Sequence, residues 1–490
     1  MLNTMKMRYK SQKISCQFEW ILRMKGVKFV PRTNRFLDTI FYHSSKKSLG
    51  VTVLILFFSL NISSQEILTK KEALAIALQN NFGIKIANNN LEVAKNNASI
   101  LNGGFLPTAA INSGADFRRN NQSFTFTDRN TGNDSEISGE GIITRNYNAS
   151  VGVNYTIFDG LGRKYNYKQL KETYNLTELQ ARETIENTYL QLFTIYFQIA
   201  RLSENTTNLQ EALRISKRRL KRAKYQYEYG QSTKLEFLNA QVDLNNDSIA
   251  YISAKQQLSN AKRGLNVVLG VEKESNYTVE TQVTYSTLLN LEELSQKTMT
   301  NNSLLKQNET NIAISEFNLK VNKANYFPTL NFNASYGFNR TENQNLINPF
   351  GAKLITSDGL NAGVNLVWNI FDGGTRKTRV ANAKIVLDNQ QIALEQQQIT
   401  IKNNLKNTWE NYQNQLFILK AQETNVLTTQ NNFDRTQERF KLGQISSVEF
   451  RQAQINLINA KTALNNAKFD AKLIELQLLQ LSGDILNIEF

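Results

Sequence analysis

YNASVGVNYTIFDG, residues 147–160, alternates between two kinds of side chain along the chain. Tyr147 and Val151 fall on one face of an extended chain, whereas Asn148 and Asn154 fall on the other. Alternation over about ten residues, with small polar side chains on one face, is typical of a strand in a membrane β-barrel. A half-buried strand of a soluble β-sandwich alternates in the same way, so this stretch alone predicts a strand and leaves its surroundings open.

The pattern returns further along the chain as LNAGVNLVWNIFDG, residues 360–373. A further alternating stretch lies upstream of each copy, so we predict four strands in two pairs. Their predicted bounds are about 108–119, 146–158, 329–339 and 359–371. The small amides that we expect on the polar face are Asn148, Asn154, Asn331, Asn333, Asn361 and Asn365.

Other landmarks recur in the same order, which indicates a tandem duplication. Pro107 recurs as Pro328, and the difference between their residue numbers is the first displacement. Glu236 recurs as Glu449, and the difference between their residue numbers is the second, shorter displacement. The difference between the two displacements predicts one loop of variable length between the proline and the Phe-Asp-Gly stretch. We place the two repeats at 66–270 and 288–490.

The segment before the first repeat has the layout of a secretory signal peptide. Lys46 and Lys47 precede an apolar run from Leu49 to Leu60, and a small polar stretch follows it. A membrane anchor is the alternative, but a transmembrane helix needs about 20 apolar residues and this run is shorter. We predict a signal peptide at 46–64, preceded at 1–45 by an extension or a misassigned start.

The leader also accounts for most of the charge and for the reactive side chains. Residues 1–65 hold 11 of the 57 basic and 2 of the 42 acidic residues, which leaves a net charge of +6 on the remainder. The single cysteine, Cys16, and the single histidine, His43, lie there as well. The remainder therefore predicts no nucleic-acid partner, no catalytic residue, no metal site and no cofactor. An enzyme that uses only carboxylates or a lysine stays open, although no converging pair of acids is visible.

The longest predicted helix follows the first Phe-Asp-Gly stretch. Residues 163–228 contain neither proline nor glycine, so they could form a helix of roughly 100 Å. Every seventh residue of this helix is mostly apolar, as a coiled coil requires. The row in the first repeat is Leu192, Ile199, Thr206, Leu213, Leu220 and Tyr227, and its equivalent is Leu405, Tyr412, Leu419, Val426, Phe433 and Phe440. A soluble coiled-coil rod would explain these helices but not the strands.

Helix ends are marked at equal places in both repeats. Gly230 and Gly443 suit the left-handed residue that ends a helix, so we predict turns near 229–236 and 442–449. The next helices begin with the predicted capping boxes Thr233 to Glu236 and Ser446 to Glu449. At the other end of the long helices, we expect the carboxylates of Asp159 and Asp372 to cap the first turn.

Four strands are too few to close a barrel. An open sheet edge in lipid leaves backbone groups without hydrogen bonds at a cost of several kcal/mol each, so the edges must pair with other copies of the chain. A dimer would supply eight strands and a trimer twelve, and only the larger ring leaves an open lumen. The amide-rich face would line that lumen and offer weak hydrogen bonds to passing solutes.

The ordered set of motifs resembles the TolC-like outer-membrane efflux protein family. The shared features are the duplication, the Leu-Pro-Thr and Phe-Pro-Thr stretches, the two Phe-Asp-Gly stretches and the Gly-x-x-Ser/Thr-x-x-Glu-Phe turns. The resemblance implies an α+β membrane protein with four transmembrane strands and long coiled-coil helices in each protomer. It also implies a homotrimer with a twelve-stranded barrel in outer-membrane lipid and a twelve-helix periplasmic barrel, working as a passive exit duct of an efflux or type I secretion system.

The resemblance assigns roles to residues as well. It implies that Gly230, Thr233, Glu236, Gly443, Ser446 and Glu449 lie at the periplasmic tips and contact an adaptor of an inner-membrane pump. It places Pro107, Phe158, Asp159, Gly160, Pro328, Phe371, Asp372 and Gly373 at the barrel–helix junction. Family members often carry a second tip acid three residues on, where this chain has Asn239 and Gln452. Each tip glutamate therefore has a capping role and a gating role open to it.

Two asparagine-rich segments, at 122–144 and 341–358, are expected to form external loops. The main alternative function is a periplasmic coiled-coil structural or adaptor protein without a pore.

Overall fold

The computed structural model describes residues 67–272, 277–286, 289–348 and 350–488. The predicted signal peptide and the extension before it lie outside the described residues. The first repeat contains β1 (Ile67–Leu68), α1 (Lys70–Asn80), α2 (Phe82–Asn97), β2 (Thr108–Thr127), β3 (Asp134–Phe158), α3 (Gly162–Glu228) and α4 (Lys234–Leu269). The second contains β4 (Thr278–Val279), α5 (Leu291–Asn301), α6 (Ser303–Ala324), β5 (Thr329–Gln344), β6 (Leu354–Val367), α7 (Thr375–Lys441) and α8 (Ser447–Leu481).

The helices of the two repeats begin at equivalent residues. The first displacement relates the starts of α5 and α6 to those of α1 and α2, and the second relates the starts of α7 and α8 to those of α3 and α4. The long helices α3 and α7 have 67 residues each, so each extends for about 100 Å. The fold predicted from the repeats and from the heptad rows is confirmed.

The large sheet has four antiparallel strands in the order β2-β3-β5-β6. Thr108 pairs with Asn154 in the first hairpin, and Thr329 pairs with Val367 in the second. These pairs are equivalent under the two displacements, so the duplication preserves the strand register as well as the order of elements. Within the described residues, β2 and β6 are the two edges of this sheet.

The first hairpin is longer than predicted, and the expected loop at 122–144 is wrong. β2 continues to Thr127 and β3 begins at Asp134, with Gln122 paired to Gly139. The turn is held by Asp128, whose side chain accepts hydrogen bonds from the backbone N–H groups of Asn130 and Thr131. These bonds hold the pKa of Asp128 below its usual value. Phe124 and Phe126 alternate with serine and threonine here, so a short apolar period does mark the strand, although the asparagines around it favoured a loop.

The second hairpin also departs from the predicted bounds. β5 extends to Gln344 and β6 begins at Leu354, so part of the expected loop at 341–358 is strand. At its other end β6 stops at Val367 rather than near residue 371. Residues 368–372 therefore leave the sheet before α7 begins at Thr375. This sheet edge has no further strand in the described chain that would hold those residues in the ladder.

A two-stranded parallel sheet, β1 with β4, covers the middle of α3. The hydroxyl of Tyr196 donates to the carbonyl of Leu68 at 2.7 Å and accepts from the N–H of Glu280 at 3.0 Å. On α7, the predicted row residues Leu405 and Tyr412 pack against Leu294 of α5. Burial raises the pKa of Tyr412 to about 12. One face of each long helix is thus covered by short elements of the same chain.

The recurrent asparagines join the short helices to the hairpins. Asn81 caps α2 and donates to the carbonyl of Val268 at 2.7 Å, and Asn302 caps α6 and donates to Leu481 at 3.0 Å. Each asparagine therefore satisfies two helix ends at once.

Among the described residues, no helix has the length and the apolar character needed to cross a membrane.

Candidate functional site

One face of the large sheet is polar in all four strands. Residues that pair directly across antiparallel strands lie on the same face. Asn154 pairs with Asn333, and Asn331 pairs with Asn365. The pairs Asn148 with Asn339 and Ser335 with Asn361 place the remaining predicted amides on that face. The register therefore brings together all six amides that the sequence pattern selected.

The same rows contain polar residues that the sequence analysis did not select. They are Asn112, Asn146, Asn339, Thr341 and Asn343. Thr341 donates to the side chain of Asn146 at 3.0 Å, and Thr144 donates to that of Asn343 at 3.1 Å. Alternation with apolar neighbours could have identified Asn112 and Asn339, which follow Ile111 and Phe338. Thr341 and Asn343 lie among charged and polar residues, so the sequence carries no such signal for them. The opposite face holds the apolar rows, such as Val151 with Tyr336 and Leu360.

Each strand-to-helix junction is closed by an arginine that sequence reasoning missed. Asp159 accepts from both the N–H and Nε of Arg163, at 2.8 and 3.2 Å. Arg163 also donates to the carbonyl of Gly104 at 2.9 Å, just ahead of Pro107. The capping role predicted for Asp159 is confirmed, and the arginine connects the end of β3 to the start of β2.

The second repeat builds the same junction. Asp372 accepts from the N–H and Nε of Arg376, at 3.0 and 2.9 Å, which confirms its predicted capping role. Arg376 donates to the carbonyl of Asn325, which is the equivalent of Gly104 under the first displacement. The shared signal is Phe-Asp-Gly-x-x-Arg, which begins at Phe158 in one repeat and at 371 in the other. Phe371 lies outside β6, whereas Phe158 is the last residue of β3.

The hairpin tips have equivalent turns. Gly230 and Gly443 have φ values of 66° and 71° and donate to carbonyls in the last helical turn. The following N–H groups, of Gln231 and Gln444, reach back to the carbonyls of residues 226 and 439. This is the Schellman arrangement that a glycine in the left-handed region permits. Stacked aromatic pairs support both tips, Tyr227 with Phe237 and Phe440 with Phe450.

Only one of the two predicted capping boxes is complete. Ser446 accepts from the N–H of Glu449, whose carboxylate accepts from the N–H of Ser446 at 2.9 Å. At the first tip, Thr233 does cap α4, but the carboxylate of Glu236 accepts from the hydroxyl of Ser232 instead. The prediction of a full box at Thr233 is wrong, because a serine one turn away offers a competing donor. Both glutamates lie exposed on the tips.

A buried ion cluster joins the two hairpins a few turns from the tips. Arg451 of α8 binds Asp247 of α4 through two nitrogens, at 2.7 and 2.8 Å. Arg219 of α3 lies 2.7 Å from Asp243 and donates to Ser447. No sequence pattern indicates this cluster, since isolated charges on a helix usually mark a solvated face.

No trio of acidic, histidine or cysteine side chains in the described part of the chain is arranged to hold a metal ion.

Comparisons with known proteins agree with this geometry. The family model described as "Outer membrane efflux protein" matches residues 73–271 and 294–484. The chain belongs to the outer membrane efflux protein family. It is therefore an outer-membrane efflux channel with a periplasmic helical portion, and not an enzyme.

Relatives of this efflux protein share its architecture at low sequence identity. It is similar to the outer membrane protein TolC of Vibrio cholerae, with 22% identity over 308 residues, covering 62% of this chain and 70% of the relative. The crystal structure of the Campylobacter jejuni CmeC outer membrane channel superposes with a TM-score of 0.70 at 18% identity, covering 85% of each chain. The crystal structure of the outer membrane protein VceC of Vibrio cholerae superposes with a TM-score of 0.66 at 13% identity, covering 84% of this chain and 95% of that one.

Proposed function

We propose that three copies of this efflux protein close their sheets into one twelve-stranded barrel and their helices into one twelve-helix periplasmic barrel. The observation that carries the proposal is the unequal exposure of equivalent residues. Phe158 and Ile157, next to β5, are 38% and 46% exposed, whereas Phe371 and Ile370 are 85% and 82% exposed. The repeats are equivalent in sequence and register, and the first junction is covered by the second repeat of the same chain. The exposed second junction therefore has a matching surface for a neighbouring copy.

The junction glycines support the same proposal. A Cβ on Gly160 would lie 2.4 Å from the carbonyl oxygen of Ala324, because the second repeat packs there. At Gly373, with nearly the same φ, the surroundings are open. The equivalent of Ala324 in the first repeat is Gly103, so we expect the region of Gly103 in a neighbouring copy to pack against Gly373.

The long helices carry matching apolar rows for the same contact. In the described chain α3 packs against α8, and the equivalent contact for α7 is the α4 of a neighbour. α4 exposes Leu235, Leu238, Val242, Ile249 and Ile252 near its tip, at the three-, four- and seven-residue spacings of a coiled-coil seam. The stretch of α7 that would face this row exposes Phe417 and Leu427.

In this assembly the polar sheet face lines the lumen and the apolar face contacts outer-membrane lipid. Amide side chains would let solutes pass without binding them tightly, so the duct would be passive. Energy for export would come from an inner-membrane pump, contacted through a periplasmic adaptor at the tips near Gly230 and Gly443. The conveyed substrates would be small molecules or proteins leaving the periplasm.

Conductance and mass together test the proposed assembly. The purified protein in detergent should have the mass of three mature chains, and it should give stepwise currents in a planar bilayer. A coiled-coil structural or adaptor protein would give no current, and a monomer or dimer would contradict the twelve-stranded barrel.

Replacing Gly443 or Gly230 by Val should weaken pump coupling without blocking export to the outer membrane. A left-handed β-branched residue strains the turn, but the open surroundings leave room for the side chain. The measurements are the drug susceptibility of cells and the amount of protein in outer-membrane fractions. Val448→Ala, on the same exposed tip, is the control. Unchanged susceptibility of both glycine variants would contradict the assignment of the tips.

A further inference from the structure

The first turns of α3 and α7 are strongly basic. The cations are Arg163, Lys164, Lys168 and Lys171 on α3, and Arg376, Lys377, Arg379 and Lys384 on α7. The first acidic residues of these helices are Glu172 and Asp388. Because the N-terminus of a helix carries partial positive charge, cations there weaken the helix. Helix stability therefore does not explain the basic residues.

Pairing within the chain accounts for two of the eight cations. Arg163 and Arg376 bind Asp159 and Asp372 at the junctions. The other six are exposed, and in the described residues none of them has a carboxylate within salt-bridge distance. Lys168 and Lys171 lie over the rings of Phe317 and Tyr167 instead. The six exposed cations are Lys164, Lys168, Lys171, Lys377, Arg379 and Lys384. Arg379 lies two residues from Lys377, on the other side of α7, and we call the remaining five the junction cations.

The heptad rows show which side of the helices the cations occupy. Counting in sevens from Lys168 leads to Tyr189 and Tyr196, which pack with β1 and β4. Counting in sevens from Lys377 leads to Leu405, which packs against α5. A face covered by short elements of the same chain is the outer face of a helical barrel, because the inner face borders the pore.

The cations also lie close to the apolar face of the sheet. β3 ends at Phe158, and Lys171 is reached after about 15 Å of helix from Gly162. At the second junction the exposed Trp368, which continues the apolar face of β6, lies between the strand and the basic turns. Aromatic side chains followed by cations are typical of the boundary between the hydrocarbon and the head groups of a bilayer.

We propose that the junction cations bind the phosphate groups of anionic phospholipids in the periplasmic leaflet of the outer membrane. The exposed cations match the charge of those head groups, and they continue the apolar face of the sheet. The inference rests on the membrane placement of the sheet proposed above. The bound lipids would fix the height of the barrel in the membrane.

Fluorescence quenching tests this binding. After residue 65 the tryptophans are Trp368, at the junction, and Trp409, which is partly buried on α7. The protein purified from outer membranes is reconstituted in phosphatidylcholine vesicles that contain equal small fractions of brominated phosphatidylglycerol or brominated phosphatidylcholine. Phosphatidylglycerol should quench at least twofold more strongly, and 1 M NaCl should abolish the difference.

Matched triple variants distinguish lipid binding at the junction cations from a general effect of removing positive charge. Replacing Lys164, Lys168 and Lys171 by Gln should remove much of the preference for phosphatidylglycerol. Replacing Lys217, Lys221 and Lys224 by Gln, at the same spacing near the tip of α3, should leave it intact. Single-channel conductance should stay at the wild-type level in both, so loss of the channel is distinguishable from loss of lipid binding. The inference would be overturned if the wild-type protein showed no preference for phosphatidylglycerol. Equal effects of the two triple variants, or a change in ion selectivity alone, would overturn it as well.

Discussion

Gly270→Ala should lower the free energy of unfolding by about 3 kcal/mol, although it adds only one methyl group. Gly270 has a φ of 67°, where an L-residue costs roughly 1–2 kcal/mol. The added Cβ would also lie 2.4 Å from the backbone oxygen of Asn80 and 3.1 Å from the N–H nitrogen of Asn81. Backbone must then move at the joint where Asn81 caps α2, and such overpacking costs about 1–3 kcal/mol more.

Gly230→Ala provides the matched control. Its φ is 66°, but nothing lies within 4 Å of the added Cβ, so only the conformational cost of about 1 kcal/mol remains. Thermal unfolding of the purified variants, followed by the loss of helical circular dichroism, measures the difference. Gly483→Ala should resemble Gly270→Ala, since its Cβ would lie 2.7 Å from the oxygen of Asn301. Equal midpoints for Gly230→Ala and Gly270→Ala would contradict the packing of the hairpins on the short helices.

Asp247→Ala should destabilise the hairpins by about 3–5 kcal/mol. Asp247 is 6% exposed, and its removal leaves the largely buried guanidinium of Arg451 with Asp243, at 3.5 Å, as its remaining carboxylate partner. An uncompensated buried charge is costly because water no longer solvates it. Thermal unfolding and the rate of proteolysis at the hairpin tips are the measurements.

Two controls isolate the buried charge as the cause. Glu211→Ala breaks the exposed pair with Arg214 on the same helix as Arg219 and should change stability little. The double replacement Asp247→Leu with Arg451→Met should recover much of the loss, since it removes both charges and keeps apolar volume. If the double variant is as unstable as Asp247→Ala, lost packing rather than lost pairing is the cause.

The sequence predicts most of the fold because each pattern can be checked at the equivalent position of the other repeat. A single alternating stretch such as 147–158 fits a soluble sheet as well as a membrane sheet. Its recurrence at 360–371, in the same position relative to a Phe-Asp-Gly stretch, fixes both strands and the start of both long helices. The polar face followed directly, because side chains alternate along strands and the hairpins keep one register.

Features without a counterpart in the other repeat could not be predicted. The residues equivalent to Arg219, Asp243 and Asp247 are Asn432, Asn456 and Ala460, so the duplication gives no signal for the ion cluster. Its members meet only because two hairpins that are distant in sequence pack together. The extended first hairpin was missed for a local reason, since the short alternation of Phe124 and Phe126 stands in asparagine-rich sequence that favours a loop.

The internal symmetry also predicts the register between neighbouring copies. Val151 pairs with Tyr336 where the two repeats meet within one chain. The equivalent of Val151 in the second repeat is Val364 of β6, and the equivalent of Tyr336 in the first is Ala115 of β2. Val364 of one copy should therefore pair with Ala115 of the next. Antiparallel partners have Cα atoms about 4.5–5.5 Å apart, which is within reach of a disulfide.

Disulfide trapping of this seam tests the closed trimer most directly. Cysteines at Ala115 and Val364, introduced together into a chain whose only cysteine is Cys16 in the predicted leader, should form covalent dimers and trimers in oxidised outer membranes. The control, cysteines at Ala115 and Asn365, places the two thiols on opposite faces and should give monomers on a non-reducing gel. Covalent trimers from the first pair alone would support closure in this register. Monomers from both pairs, in protein that reaches the outer membrane and conducts, would contradict it.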